Sequence, residues 1–242
     1  MKGSLGGVMT RKGIISGTIV LKETAGLGAW EEEEVATSYG TARVFLSDGV
    51  AVIARHGTDP GAYILPHLID HVSNLAALKA LGVTEVLGVN STGSLKKDIP
   101  PGTLAVPHDF IMLYPGPTSA RAAAVHITPR LHGEVRERCL AAARACAIPV
   151  RDGGVYWQTP GPRLETKAEI AMMAAAADLV GMTMAAEAVV AGELGIPYAS
   201  LCSVDNYAHG VGDEELTLEA IVAHARKNTE RIVRIVAAYL RM

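Results

Sequence analysis

No stretch of this 242-residue chain reaches the ~18 uninterrupted apolar residues that a membrane span needs, and the N-terminal MKGSLGGVMTRKG carries charge without an apolar signal core. A soluble, cytoplasmic protein is therefore expected. Long basic runs are missing too, and the net charge is only −3, which argues against nucleic acid or an acidic membrane surface as main partner. Cysteine is scarce. Cys139, Cys146 and Cys202 show neither metal-type nor redox spacing, and an odd number cannot pair fully within one chain, so buried thiols are expected. A P-loop, a G-x-G-x-x-G fingerprint, an internal repeat and a low-complexity linker are absent as well. With those classes set aside, a small-molecule ligand is the default.

What is present is the material of one large α/β domain. Hydrophobic residues make up 49% of the chain, enough for a single core serving residues 1–242 as one domain. Apolar runs read as strands at Gly13–Val20, Thr41–Ser47, Val50–Ala54, Glu85–Asn90, Thr103–Val106, Val155–Gln158 and Tyr198–Val204, with Asp48-Gly49 as a hairpin turn. Helices are predicted over Pro66–Leu81, Pro129–Ala147, Thr166–Ala177, Met184–Leu194 and Glu215–Leu240. The first has an apolar face of Leu68, Val72, Leu75, Ala76 and Leu78, and the second has Pro129 in its first turn. His67 and His71, four apart, lack the Glu of H-E-x-x-H and are expected on a partly exposed helix surface. Residues 107–128 lack periodicity and read as a long loop of the kind that forms lids or oligomer contacts. Strands alternating with helices predict a central mixed, largely parallel sheet flanked by helices, with ligands at the carboxyl ends of its strands.

The chemically interesting residues gather at those ends. Thr18 closes the first strand, where it meets an anion or sits in an ordinary turn. Arg55-His56-Gly57 follows Val50–Ala54, and a guanidinium fork beside a glycine suits a phosphate, although a solvated strand end fits the local pattern equally. After Asn90, Ser91-Thr92-Gly93-Ser94-Leu95 makes a small-residue loop whose amides and hydroxyls can surround an oxyanion. The richest stretch is Gln158–His209. It holds Gly161-Pro162-Arg163-Leu164-Glu165, then Gly181-Met182-Thr183, then a strand opening into Ser203-Val204-Asp205-Asn206, the sparse polar groups on apolar walls that mark a small-molecule pocket. Each has a plainer reading: Glu165 as a carboxylate at a helix N-terminus, Met182 as core, Asn206 as a loop residue bonding its own backbone.

Taken in order, GIISGT, ARHG, NSTGSL with its P-P-G turn, GPRLET and GMTMAAEAVVAGELGIPYASL resemble the purine nucleoside phosphorylases, in the branch that includes methylthioadenosine and methylthioinosine phosphorylases. The resemblance runs from Gly13 to the final helix. It implies reversible phosphorolysis with inorganic phosphate as co-substrate, no metal or organic cofactor, and a homotrimer or dimer of trimers. It maps phosphate onto Thr18, Arg55, His56, Asn90, Ser91 and Thr183, gives His56, Thr183 and Asn206 catalytic roles, and puts Met182 under the ribose. Leu218, Ile221 and Val222 then wall the sugar's 5′ group, and His126 reaches a neighbouring subunit's 5′ pocket. Three positions depart from the pattern: Ser16 and Ile19 stand where relatives usually have glycine, and Asn90 where they usually have threonine.

The base position carries the sharpest expectation. Adenine-selective relatives have aspartate at the position of Asn206 and a second acid two residues on, where this chain has Ala208. An amide can donate to a purine O6 while its carbonyl accepts the proton at N7. Glu165 matches a glutamate that accepts from base N1–H. Adenine lacks that proton, and a buried carboxylate facing its N1 lone pair costs on the order of 1–3 kcal/mol. The resemblance and these two residues together imply a 6-oxopurine nucleoside such as S-methyl-5′-thioinosine, inosine or guanosine. The alternatives are S-methyl-5′-thioadenosine, or a nucleoside-binding protein of weakened catalysis.

Overall fold

A computed structural model of the protein describes residues 11–17, 30–121, 126–212 and 218–242, the side chains of 218–225 excepted. The chain enters as β1 (Arg11–Ser16) and then forms an antiparallel meander of β2 (Glu31–Thr37), β3 (Gly40–Ser47) and β4 (Val50–Ala54). Gly49, at φ +70°, makes the turn into β4, a conformation that costs glycine no Cβ clash. Helix α1 (His71–Ala80) leads into β5 (Val83–Ser94), followed by β6 (Leu104–Val106), β7 (Asp109–Ile111), α2 (Gly133–Ala145), β8 (Arg151–Asp152) and β9 (Val155–Gln158). Then come α3 (Lys167–Met173), β10 (Leu179–Gly181), α4 (Met184–Leu194), β11 (Tyr198–Tyr207) and α5 (Leu218–Leu240).

All these strands join one sheet, and β5 is its hub. β1 lies parallel between β4 and β5, and β11 runs parallel to β5 along its other edge. The far end of β5 also pairs with β10, antiparallel, at Gly93 and Ser94, and β10 continues in parallel through β9 to β7. Because β10 runs opposite to β5, its carboxyl end points back toward Asn90, where the carboxyl ends of β1 and β4 also arrive, while β11 passes Asn90 at Cys202 and ends opposite Ser94. The predicted mixed, largely parallel sheet is therefore present, with strand ends converging on one place from two directions.

Alternation along the central strands builds a core on each face. Ile14, Val52, Leu87 and Leu201 pack with Cys139 of α2 and Ile232, Ile235 and Val236 of α5. Ile15, Ile53, Val86 and Cys202 pack with Leu75 and Leu78 of α1 and Ala185 and Ala188 of α4. Each fully buried aliphatic side chain contributes about 1.5–3 kcal/mol, so the strand ends stand on a firm base. Cys139 and Cys202 are buried thiols, and Cys146 is half-buried. No helix among the described residues is long and apolar enough to cross a membrane.

Several boundaries differ from the sequence reading for local reasons. Pro66–Leu68 makes a separate 3₁₀ turn, and α1 starts at His71 because Asp70 caps it, accepting from Ser73 N at 2.9 Å. Leu68 is consequently 63% exposed instead of lying on an apolar face, and His71 is buried instead of surface-exposed. Pro129 lies ahead of α2, which begins at Gly133 after His132 N donates to Tyr198 O at 2.7 Å. Helix α3 ends at Met173, before the expected Ala177. β5 runs straight through the expected loop to Ser94, because Gly93 lets strands close in from both sides: a Cβ there would stand 3.1 Å from Asn206 Nδ2 and 3.3 Å from Val180 Cγ1.

Candidate active site

At the end of β4, Arg55 is 3% exposed and its fork turns inward. Nε meets Glu187 of α4 at 2.6 Å, and the terminal nitrogens reach Val89 O (2.7 Å), Ile15 O (2.8 Å) and the second Glu187 oxygen (3.4 Å). Four of the five N–H donors are thereby used. The expected fork offered to an anion is corrected: Arg55 presents at most one N–H and its charge. Glu187, 1% exposed, also accepts from Tyr198 OH at 2.6 Å. Gly88 makes this reach possible, since a Cβ there would lie 2.1 Å from the Tyr198 oxygen. Burial pushes the Glu187 carboxyl up, with Arg55 opposing, and raises the Tyr198 phenol well above its ordinary range. Neither residue was predicted for the site. The available signal was a lone acid within the apolar run MAAEAVV.

Thr183 precedes α4. Tyr156 OH accepts from Thr183 N (3.2 Å) and Met184 N (3.4 Å), and Gln158 Oε1 accepts from Ala186 N (3.0 Å), so the Thr183 hydroxyl has no capping duty. Instead, Ser200 Oγ donates to Asn90 Oδ1 (2.7 Å) and Asn90 Nδ2 donates to Thr183 Oγ1 (2.8 Å). With its oxygen held as acceptor, Thr183 is left with an O–H to give away. Asn90 thus orients a donor. At the end of β1, the buried Ser16 Oγ has no hydrogen-bond partner among the described residues.

His56 stacks on Tyr63, with ring centroids 4.6 Å apart, and its Nδ1 lies 2.8 Å from Ile64 O. A carbonyl can only accept, so Nδ1 carries the proton and Nε2 offers a lone pair. Burial, helped by the charge of Arg55, lowers the imidazole pKa to about 4. Neutral at pH 7, the ring accepts a hydrogen bond from a protonated phosphate oxygen or a sugar hydroxyl, and it cannot donate to a bare oxyanion through Nε2.

The base side is built from β9, α3 and β11. Glu165 is 8% exposed, accepts from Thr159 Oγ1 at 2.6 Å and precedes Thr166, the N-cap of α3. His209 Nδ1 lies 3.3 Å from Glu165 O, which ties the exit of β11 to this segment. Asn206 donates through Nδ2 to Tyr207 O at 2.8 Å, the self-bonding expected of a loop asparagine, and keeps a second N–H and its carbonyl. Met182 packs on Gly161, where a Cβ would stand 2.6 Å from its sulfur. Beside them opens a cleft of about 260 Å³ between Tyr114, Trp157, Gln158, Gly161, Glu165 and Met173, with Gln158 Nε2 donating to Tyr114 OH at 2.9 Å. Its lining includes Glu165, but neither Asn206 nor Thr183.

The exposed Ser91 donates its hydroxyl to Asp205, which restricts any anion contact by this residue to its main chain. Thr18 lies outside the described residues. So do the side chains of Leu218, Ile221 and Val222, whose backbones open α5. His126 is exposed, and among the described residues no hydrogen bond or ion pair joins it to the site.

A profile described as the phosphorylase superfamily matches residues 13–241. A probable 6-oxopurine nucleoside phosphorylase of Archaeoglobus fulgidus is 44% identical over 229 residues, covering 93% of both chains. A probable S-methyl-5′-thioinosine phosphorylase of Methanocaldococcus jannaschii is 35% identical over 94% of this chain and 91% of its own. Methylthioadenosine phosphorylase from Schistosoma mansoni, solved with adenine, superposes with a TM-score of 0.84 at 24% identity, covering 96% of this chain and 91% of that one. With the match running from Gly13 to Arg241 and a relative 44% identical over 93% of both chains, the chain belongs to the phosphorylase superfamily.

Proposed function

We propose that this chain cleaves a purine nucleoside with inorganic phosphate, releasing the free base and a pentose 1-phosphate, and that it favours 6-oxopurines such as those of S-methyl-5′-thioinosine, inosine or guanosine. The observation that carries the base assignment is Asn206, left with one N–H for O6 and a carbonyl for N7–H, on a strand whose exit touches the Glu165 segment. A phosphate oxygen attacks C1′ as the C–N bond breaks, the bonding electron pair passing to the purine while N7 takes a proton from solvent. Thr183 O–H holds the phosphate, His56 accepts from its protonated oxygen or from the sugar, and Asn206 stabilises the charge gathering on the base. Met182 lies under the ribose. His126 of a neighbouring subunit, with Leu218, Ile221 and Val222, encloses the 5′ group.

The enzyme so described needs no metal or organic cofactor. It works in the cytoplasm as a homotrimer or dimer of trimers, without nucleic-acid or membrane partners. Tyr63, Ile64, Leu65 and Leu68, 39 to 63% exposed within one short segment, support a subunit contact beside His56. A second reading, a nucleoside-binding protein of weakened catalysis, is favoured by the inward turn of Arg55. A panel of inosine, guanosine, methylthioinosine and methylthioadenosine, run with and without phosphate, separates these. Phosphate-dependent release of hypoxanthine is the expected result. Preference for methylthioadenosine would overturn the base assignment, and binding without turnover would favour the second reading.

A further inference from the structure

Asp205 is a carboxylate with no part in the chemistry so far, and it is 0% exposed. It sits at a bulge: β11 pairs Val204 with Thr92 and then Asn206 with Gly93, so Asp205 is the extra residue, and bulges of this kind re-aim side chains. Ser203 Oγ donates to Oδ1 and Ser91 Oγ donates to Oδ2. Two hydroxyls each giving a proton to it describe an ionised acceptor. The chain of bonds continues outward, from Asn228 Nδ2 to Ser203 Oγ at 2.8 Å and from Arg231 to Asn228 Oδ1 at 3.0 Å. A cation on α5 is thus connected through neutral links to an anion at the strand ends.

The position of this anion follows from the register. Asn90, which orients Thr183, lies opposite Cys202, and Asn206 lies opposite Gly93. Three residues of β5 separate those levels, about 10 Å at the usual rise per residue. Phosphate held near Thr183 and base held near Asn206 leave the sugar between them, where Ser91 and Asp205 stand. Ser91 gives its proton away from the ligand, so its oxygen offers lone pairs outward, backed by a full negative charge one hydrogen bond behind. When the C–N bond breaks, the sugar passes through a cationic state, and a fixed negative pole lowers the energy of that state more than of the neutral substrate.

We propose that Asp205, acting through Ser91, is the negative pole that faces the sugar, a positioning residue for phosphorolysis. This rests on the phosphorolytic reading above. The test is steady-state kinetics of Asp205→Asn and Ser91→Ala with methylthioinosine or inosine and varied phosphate, alongside thermal unfolding. Asp205→Asn keeps the shape and removes the charge, so kcat falls by about tenfold or more. The phosphate KM, however, stays level or drops, because an anion repelling phosphate is gone. Ser91→Ala, at an exposed position, lowers kcat in the same direction by a smaller factor. Unchanged kcat in either variant would overturn the proposal. So would a kcat loss accompanied by a raised phosphate KM and a lower Tm, the signature of a merely loosened loop. A wild type that releases no base with phosphate sinks the phosphorolytic reading itself, and this inference with it, whereas an active wild type with an indifferent Asp205→Asn sinks the inference alone.

Discussion

Two carboxylates in this protein are dressed alike, each with one arginine and one tyrosine hydroxyl, at opposite ends of the sheet. Glu187 holds Arg55 at 2.6 Å and Tyr198 OH at 2.6 Å where the strands end. Glu85, near the start of β5, holds Arg138 and accepts from Tyr239 OH at 2.7 Å, which pins α2 and α5 to the sheet. The difference is water. Side chains of the first pair are 2% and 1% exposed, whereas Arg138 and Glu85 are 33% and 10% exposed. The same chemistry therefore serves two purposes. At the strand ends it fixes a charge beside the Asn90–Thr183 relay, and at the far end it fastens helices.

The largest expected effect breaks the comparison if it fails. Glu187→Ala leaves the Arg55 guanidinium buried and unpaired, which should cost about 3–5 kcal/mol of stability and abolish measurable base release. Glu85→Ala, with Arg138 free to swing toward solvent, should cost closer to 1–2 kcal/mol and leave turnover intact. Urea unfolding of both variants measures this. Equal losses would mean that burial does not separate the two ends.

Acid should find the site end first. His71, buried beside Arg55 and His56 with Asp70 as its cap, has its pKa lowered to about 3 by desolvation, then by Arg55, with Asp70 opposing. A histidine whose folded pKa lies below its unfolded value keeps its contribution above about pH 6.5 and loses it as the pH falls. At pH 5, His71 alone should then withdraw about 2 kcal/mol, because the unfolded chain takes up the proton and the folded one does not. His56, lowered to about 4, adds in the same direction. Urea midpoints at pH 7.5 and pH 5 for wild type and His71→Gln provide the check, with a flatter pH dependence expected in the variant. Equal slopes would remove His71 from the account.

These expectations show where the sequence was readable. Central strands were legible because Ile14, Leu87 and Leu201 belong to continuous apolar runs buried on both faces. Strand β2 was not, since Glu31 to Glu34 is a poor strand composition held at a sheet edge by pairing with β3, with Val35 as its buried residue. β10 was too short at three residues to carry a period. In the site, Thr183 and Asn206 stood out as polar residues closing apolar strands, and Glu165 as the carboxylate behind the Gly161-Pro162 turn. Glu187, Tyr198 and Ser200 did not, and Asp205 was named in its motif without a role, because their roles depend on partners 11 to 132 residues away that only the sheet brings together. Arg55 was found by its neighbours His56 and Gly57, yet the direction of its fork depends on Glu187.

Within the site end, Thr183→Val tests whether the relay from Ser200 through Asn90 delivers a donor. The substitution keeps the volume and removes the O–H, so kcat should fall by about tenfold or more with little loss of stability. Wild-type rates would assign Thr183 to packing. Asn90→Ala should slow turnover as well by freeing the Thr183 hydroxyl to rotate, and a double variant no worse than Thr183→Val alone would place both residues in one unit.

The smallest effect sharpens the comparison most. Tyr239→Phe deletes one oxygen from the far-end cluster and little else: Lys12 Nζ still reaches the Tyr239 backbone carbonyl at 3.0 Å and still lies 5.0 Å from the ring centroid, and Arg138 still pairs with Glu85. What is lost is the hydroxyl bond to Glu85 Oε1, worth about 0.5–1.5 kcal/mol, or about 2–4 °C in Tm per kcal/mol for a chain of this size. Turnover should be unchanged, because Glu85 lies five residues back along β5 from Asn90, about 16 Å at the usual strand rise. Tyr198→Phe deletes the same atom from the other cluster, yet there the orphaned oxygen belongs to Glu187, whose remaining partners, Arg55 and Asn90, stand at the site. That variant should lose comparable stability and also slow base release. Thermal unfolding and kcat/KM on the two tyrosine variants decide the matter: a Tyr239→Phe enzyme that slows as much as Tyr198→Phe would show that the ends are coupled, and that the far cluster does more than hold α5 down.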